Sequence, residues 1–330
     1  MVVTIADVAK RAGVANSTVS KVLKNYVKVS EETRKKVLES VAELHYVPNS
    51  MASALSSKKF DRVALYIYIN DQNQSIDEIN MLYLLGAFAK AQKHNLDFIT
   101  IFNSMVAGMN KDELVHYLYS QSISSLVVYG LNKEDTIIHE IIKEQIFKCV
   151  VVDAPIVNER TSSVEVDHLN GQYEVAKKLV DKNNLHAIMY LAGKKNGYVT
   201  DSRLAGIKKL QDEYNLDVSV FYADFSEKKA IEIVMEHGTD VDGIVCASDL
   251  MAIGAVHALK QLDIFRPCCG YDGIRLMGYA GKEIYTCKQD FYHISEVAID
   301  EIVELINGGH GRSVKLDYKI VRIKYEDVIL

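Results

Sequence analysis

The chain has 330 residues, 48% hydrophobic and 25% charged, with three prolines and a formal net charge of −6. That is a soluble globular profile, long enough for two or three domains with well-buried cores. No run of about 18 apolar residues exists, which excludes a transmembrane span. The opening MVVTIADVAKR lacks the apolar stretch and cleavage site of a signal peptide, so a cytoplasmic protein is expected.

Charge divides the chain into two unlike parts. Residues 1–60 hold ten Lys/Arg against five Asp/Glu, and the remainder holds 28 against 39. A basic head on an acidic body suggests a polyanion-binding module joined to something with another task. In the head, Thr4 can cap a first helix, with Asp7 in its first turn, and Ile5, Val8, Ala9 and Ala12 follow the i, i+3, i+4, i+7 spacing of a buried face. Gly13 permits a tight turn. The next segment, NSTVSKVLK, places Val19, Val22 and Leu23 inward and Ser17, Ser20, Lys21 and Lys24 on the opposite side. A third helix starts at the cap Ser30, with Val37, Leu38, Val41 and Leu44 inward. Three short helices with a glycine turn between the first two have the layout of a helix-turn-helix. The alternative is a small bundle whose charged stripe is merely solvated.

The residues weigh against that alternative. A-D-V-A-x-x-A-G-V-x-x-x-T-V-S-K-V-L, then V-S-x-x-T-R-x-K-V, then L-x-Y-x-P-N, running from Thr4 to Asn49, resemble the N-terminal signature of the LacI/GalR family of bacterial transcription regulators. The resemblance implies that Asn16, Ser17 and Lys21 touch base edges of double-stranded operator DNA, while Thr18 and Ser20 touch phosphate or steady the motif. Two departures stand out: Ala15 replaces a capping serine, and Lys21 replaces an arginine, losing the bidentate fork to guanine.

In the hinge, residues 47–60, the stretch after Pro48 as far as Lys59 is small or polar except for Met51 and Leu55, and is too short for an independent helix. By resemblance they form a hinge helix on DNA, with Asn49, Met51 and Leu55 at the DNA and Leu55 as the minor-groove wedge. Ser53 stands where many relatives carry arginine.

From residue 61 onward, RVALYIYI, LDFITIF, SSLVVYG, KCVVVDAP, HAIMYLAG, LDVSVFYADF and GIVCAS alternate with helix-length segments. This rhythm predicts parallel sheets covered on both faces, occurring twice and split near Val166. The expected architecture is α/β: a small all-α helix-turn-helix head (1–46), a hinge (47–60), and two doubly wound parallel-sheet lobes of periplasmic-binding-protein type (61–330). Lobe 1 takes about 61–165 and 291–320, and lobe 2 about 166–290 and 321–330. Two such lobes form a cleft at the carboxyl ends of their strands. No G-x-G-x-x-G follows a strand, and P-loop and G-x-S-x-G motifs are missing, so an enzyme is disfavoured and no cofactor is expected.

The body resembles the same family more weakly. By that resemblance Arg203, in YVTDSRLAGIKKL, reaches into the cleft, Phe225 packs on a sugar or base ring, and Ser248, Asp249 and Asp272 line it, with Asp153 facing them from lobe 1. The segment LDIFRPCC before Asp272 is shorter than the family norm, and LVDKNNLHAI lacks a usual Gly-His pair. Five cysteines without a C-x-x-C pair give no disulfide framework. The adjacent Cys268 and Cys269 read as core residues at a strand end, with a redox or metal element as the alternative, and ten histidines without H-x-x-x-H spacing suggest no metal site. No leucine-heptad tail follows the last strand, so a homodimer on a pseudo-palindromic operator is expected.

These readings lead to a repressor of carbohydrate-utilisation genes relieved by a small sugar-like effector. Ligand-strengthened DNA binding and control by a protein partner are the alternatives within regulation. A sugar-binding transport protein, which shares the two-lobed body, is the reading from another class, and the basic head argues against it.

Overall fold

The computed structural model describes residues 5–23, 29–44, 62–69, 78–327 and 329, divided into two compact units, a helical head and an α/β body. Thr4, Lys24 and the whole hinge stretch, with Asn49, Met51, Ser53 and Leu55, lie outside the described residues.

The head contains α1 (Ile5–Ala12), α2 (Asn16–Leu23) and α3 (Glu31–Glu43). Val8, Ala9, Val19, Val22 and Val37 form its core, with Ala12, Val14, Leu23, Val29, Val41 and Leu44 packed around them. Gly13 turns the chain at φ +67°, where a Cβ would be strained, and Val14 N closes the turn by donating to Ala9 O at 3.0 Å. Ala15 precedes α2 with no side-chain oxygen to cap it; only its carbonyl serves, accepting from Thr18 N and Val19 N. Ser30 does cap α3, its Oγ accepting from Thr33 N at 3.3 Å. One expectation is overturned: Leu38 is 49% exposed. Val37, Val41 and Leu44 lie four and three residues apart along one face, and Leu38 is rotated by about 100° from Val37, beyond the reach of a core this small.

The body is built from two six-stranded sheets wound alike. In lobe 1 β1 (Arg62–Ile67), β2 (Asp97–Phe102), β3 (Ile123–Tyr129), β4 (Lys148–Val152) and β5 (Thr161–Val166) alternate with α4 (Glu78–Lys93), α5 (Lys111–Ser120) and α6 (Thr136–Lys143). The chain then enters lobe 2, where β6 (Ala187–Ala192), β7 (Asp217–Tyr222), β8 (Gly243–Cys246), β9 (Cys268–Asp272) and β10 (Ile284–Lys288) alternate with α7 (His168–Asn183), α8 (Tyr198–Tyr214), α9 (Glu227–His237) and α10 (Asp249–Gln261). It returns to lobe 1 as α11 (Phe291–Ile306) and β11 (Ser313–Leu316), and ends in lobe 2 as β12 (Lys319–Ile323). The strand orders are β11-β5-β4-β3-β1-β2 and β12-β10-β9-β8-β6-β7. All pairings are parallel except that of β12 with β10. The near-continuous apolar runs of β1, β3, β4 and β6 follow from burial on both faces.

Both departures in lobe 2 are absorbed locally. The shortened LDIFRPCC still delivers β9, paired to β8 at Cys268 and Cys269 and to β10 as far as Asp272. Asn184 ends α7 at φ 51°, a left-handed position where asparagine does the work of the missing glycine. Cys268 and Cys269 are buried free thiols opening β9.

Candidate functional site

In the head, burial of Val19 and Val22 fixes which side of α2 meets solvent. Asn16, Ser17 and Lys21 are exposed, and Thr18 and Ser20 are half-buried beside them. The stripe offers an amide, hydroxyls and an ammonium, donors and acceptors suited to base edges and phosphate oxygens.

In the body, the polar residues gather where the lobes meet at the carboxyl ends of their strands. α8 presses on α7 at Gly206, where a Cβ would overlap the Leu169 carbonyl. One turn earlier on α8, the buried Arg203 donates to Ala247 O and, at 3.3 Å, to Asp272 Oδ1. Its guanidinium lies 3.7 Å from the centroid of the Tyr271 ring. Gln289 Nε2 also donates to Asp272 Oδ1, at 3.1 Å. From lobe 1, Asp153 stands just past β4 and pairs with His168 Nε2 at 2.9 Å, while Tyr83 Oη donates to its other oxygen at 3.3 Å. His168 Nδ1 is 3.2 Å from Tyr271 Oη, so one imidazole bridges the carboxylate of lobe 1 and the aromatic floor of lobe 2.

Electrostatics separates the carboxylates. Burial pushes Asp272 up to about 6, although Arg203 pulls it down. Burial also pushes Asp153 up, but His168, Arg203 and Tyr83 outweigh it and hold the group below the usual range. Asp153 and Asp272 sit at φ 59° and 116°, and Asp224 and Phe225, past β7, at 53° and 59°. Such conformations cost of order 1–3 kcal/mol each for a non-glycine residue. They cluster at the strand ends that meet in the cleft. Among the described residues, Arg203 Nε, Gln289 Oε1, Tyr190 Oη and Thr200 Oγ1 are buried without a hydrogen-bond partner, leaving capacity that a hydroxylated ligand can satisfy.

The structure therefore brings Asp153, Arg203 and Asp272 together. Phe225 lies at the neighbouring strand end, its ring filling the space that a Cβ on Gly193 would need. Ser248 and Asp249 are turned to other work. Ser248 Oγ caps α10 by accepting from Met251 N. Asp249 accepts from Gly273 N at 2.7 Å, Ile274 N at 2.9 Å and Thr286 Oγ1 at 2.7 Å, holding the turn after Asp272. His168, Tyr83, Tyr271 and Gln289 were not singled out from the sequence. His168 had a signal, since it follows the crossover at Val166 and the capping residue Asp167. The lobes also meet at their rims: Lys133 pairs with Asp201, Asn196 Nδ2 donates to Glu134 at 2.9 Å, and Arg275 N donates to Glu78 at 3.0 Å.

Comparison with known proteins agrees with this layout. Residues 4–49 match the family model described as bacterial regulatory proteins, lacI family. The chain is 27% identical to the HTH-type transcriptional regulator RegA of Clostridium saccharobutylicum, over 93% of each chain. It is also 27% identical to CelR of Thermobifida fusca, over 95% of this chain and 94% of the relative. Among solved structures, a Lac repressor dimer bound to operator and the anti-inducer ONPF superposes with a TM-score of 0.78 at 22% identity, covering 98% of this chain and 99% of that one. A periplasmic solute-binding protein of an ABC transporter from Actinobacillus succinogenes, with bound D-allose, gives 0.65 at 21% over 81% of this chain and 99% of its own. The two-lobed body is thus shared with transport proteins, and the matched head is what separates the two classes. Residues 4–49 thus carry the helix-turn-helix signature of the lacI family, and along nearly its whole length the chain is similar to bacterial transcriptional regulators that bear such a head.

Proposed function

We propose that this chain is a sequence-specific DNA-binding transcriptional regulator, a repressor of carbohydrate-utilisation genes that is released by a small sugar-like effector. The observation that carries the reading is the face of α2, where a buried Val19–Val22 seam leaves Asn16, Ser17 and Lys21 in solvent. Those three side chains read bases in the major groove, and Thr18 and Ser20 support them at the phosphates. In the body, Asp153, Arg203 and Asp272 bond the effector's hydroxyls and Phe225 packs on its ring. A planar cation and opposed carboxylates are what a polyhydroxylated ligand requires. The solved structures of similar proteins support the ligand class, since one is a complex of the regulator CelR with cellobiose (TM-score 0.71, 23% identity).

The protein acts as a homodimer. On α4, Met81, Leu85 and Phe88 are 57%, 50% and 57% exposed at i, i+4 and i+7, an apolar stripe that a second copy covers. Anisotropy titrations of the full chain against fragments from upstream of its own gene and its neighbours, with and without candidate sugars, test the proposal. At least one fragment should bind well above random DNA and be released by a sugar, and Lys21→Ala should weaken that binding by tenfold or more. Equal affinity for every fragment and for random DNA would end it.

A further inference from the structure

We infer that lobe 2 carries a second ligand site, for a small phosphomonoester, at the edge of its sheet opposite the cleft. A pocket of about 150 Å³ opens there between the last turn of α7, the loop Phe265–Cys268, the start of β10 and Arg322 of β12. By the same measure one water needs roughly 10–15 Å³, so the pocket seats a phosphate with part of an organic group. Its floor is apolar and buried, formed by Leu179, Val256, Cys268 and Ile284.

The charge around that floor is the unusual feature. Lys182, Arg266, Lys282 and Arg322 line the pocket against a single carboxylate, Glu283, and Glu283 is already engaged by Arg322 at 2.6 Å. Among the described residues Lys182, Lys282 and Arg266 form no ion pair within 4.0 Å; Arg266 instead donates to the backbone carbonyls of Val241, Phe265 and Thr239. The rest of the body is strongly acidic, so this is a local reversal of sign. A lysine or two at the end of α7 would complement the helix dipole. That does not account for Arg266, Lys282 and Arg322, which arrive from other elements. Three cations also crowd one ring: Lys178 Nζ, Lys182 Nζ and the Arg322 guanidinium lie 4.9, 5.3 and 5.5 Å from the Tyr285 centroid. Apart from the Arg322–Glu283 pair, these like charges have no carboxylate within 4.0 Å among the described residues and repel one another, and a bound dianion relieves that repulsion.

The aromatic side chains set the second half of the specificity. Phe265, on the pocket wall, is 68% exposed, with Lys282 Nζ 4.8 Å from its centroid. An exposed phenyl ring beside an anion site gives the organic part of a phosphate ester a surface to lie on. The small volume of the pocket and its single charge cluster favour a compact ester over a polymer backbone, whose phosphates would need an extended basic track.

Calorimetric titration of the full chain with phenyl phosphate and with inorganic phosphate, against sodium chloride of matched ionic strength, tests the site. Neither probe is a polyol of the kind that the cleft is proposed to bind, and Lys182 and Lys282 lie apart from Asp153, Arg203 and Asp272, so the outcome stands apart from the effector reading. Phenyl phosphate should bind saturably and several-fold more tightly than inorganic phosphate. The double variant Lys182→Gln, Lys282→Gln should weaken it at least tenfold, while Lys228→Gln on the exposed face of α9 leaves it unchanged. Phe265→Ala, an exposed truncation, should weaken phenyl phosphate without affecting inorganic phosphate. Heats no larger than those of sodium chloride, or equal affinity in the wild type and the double variant, would overturn the site. An equal loss of both probes in Phe265→Ala would overturn the role of the ring.

Discussion

Asp249 and Asp272 look interchangeable in the sequence, two aspartates beside helix and strand ends, yet their surroundings give them different tasks. Asp249 is fully buried and accepts from two backbone amides and a threonine hydroxyl, all in its own lobe. Replacing it with alanine takes the acceptor from the Ile274 amide and the Thr286 hydroxyl, each costing about 1–3 kcal/mol, while Gly273 N keeps Thr286 Oγ1 at 3.2 Å. Asp249→Ala should therefore lower stability by about 2 kcal/mol or more, read as a reduced urea midpoint, and Asp249→Asn should lose less because one acceptor remains. Asp272 accepts from Arg203 and Gln289, with the Asp249 backbone amide also favouring its charged form, yet burial raises it to about 6. The folded chain thus keeps this proton up to about pH 6, whereas an unfolded aspartate releases it near 3.8. The stability contributed by this group is fully present below about 3.8 and is lost as pH rises through about 6. Its capacity to accept from a ligand hydroxyl runs the other way. Effector affinity should rise several-fold between pH 5 and pH 7.5, and Asp272→Asn should abolish the rise; an unchanged pH profile in that variant would assign the titration to another group. Asp153, held low, loses its contribution only as pH falls below the usual carboxylate range, so the two windows are separable.

At the scale of elements, the head shows how far periodicity reaches. Val8, Val19, Val22 and Val37 could be placed inside from spacing alone because each repeats with the helix period and the helices are short. Leu38 fits the same composition rule but not the geometry, since three small helices can cover only one narrow face of α3. Leu38→Gln should change the head's thermal stability by less than about 0.5 kcal/mol, whereas Val37→Ala should cost about 2 kcal/mol; comparable losses would mean that Leu38 is covered in solution. In the body, the fully buried strands announced themselves as β-branched runs, but β5 (TSSVEV) did not, because a strand rich in serine lacks that signal even though most of it is buried. A last strand is expected from the sequence, but not that β12 pairs antiparallel, since pairing direction leaves no mark on composition. Arg203, Asp272 and Asp153 were legible through their motifs. Their partners were not: Asp153 meets His168 and Tyr83, and Arg203 meets Tyr271, through contacts that only the finished fold creates.

For the molecule as a whole, the central question is how two copies of a 37.0 kDa chain, each with one head, hold both heads on a single stretch of DNA. A lone head reads one half-site, and its affinity is limited to a few base contacts and phosphates. Two heads on a common scaffold make the second contact intramolecular, raising apparent affinity by a factor of about 10²–10⁴. The α4 stripe supplies the scaffold contact in this proposal, and it can be broken without touching the core, because Leu85 and Phe88 are half or more exposed in the single chain. The double variant Leu85→Lys, Phe88→Glu should sediment as a monomer at micromolar concentration and keep its urea midpoint and sugar affinity. Its operator affinity should fall by two orders of magnitude or more while its half-site affinity is retained. A variant that stays dimeric moves the interface elsewhere. A monomer that binds the full operator as tightly as the wild type would remove the need for a second head, and with it the reason for the stripe.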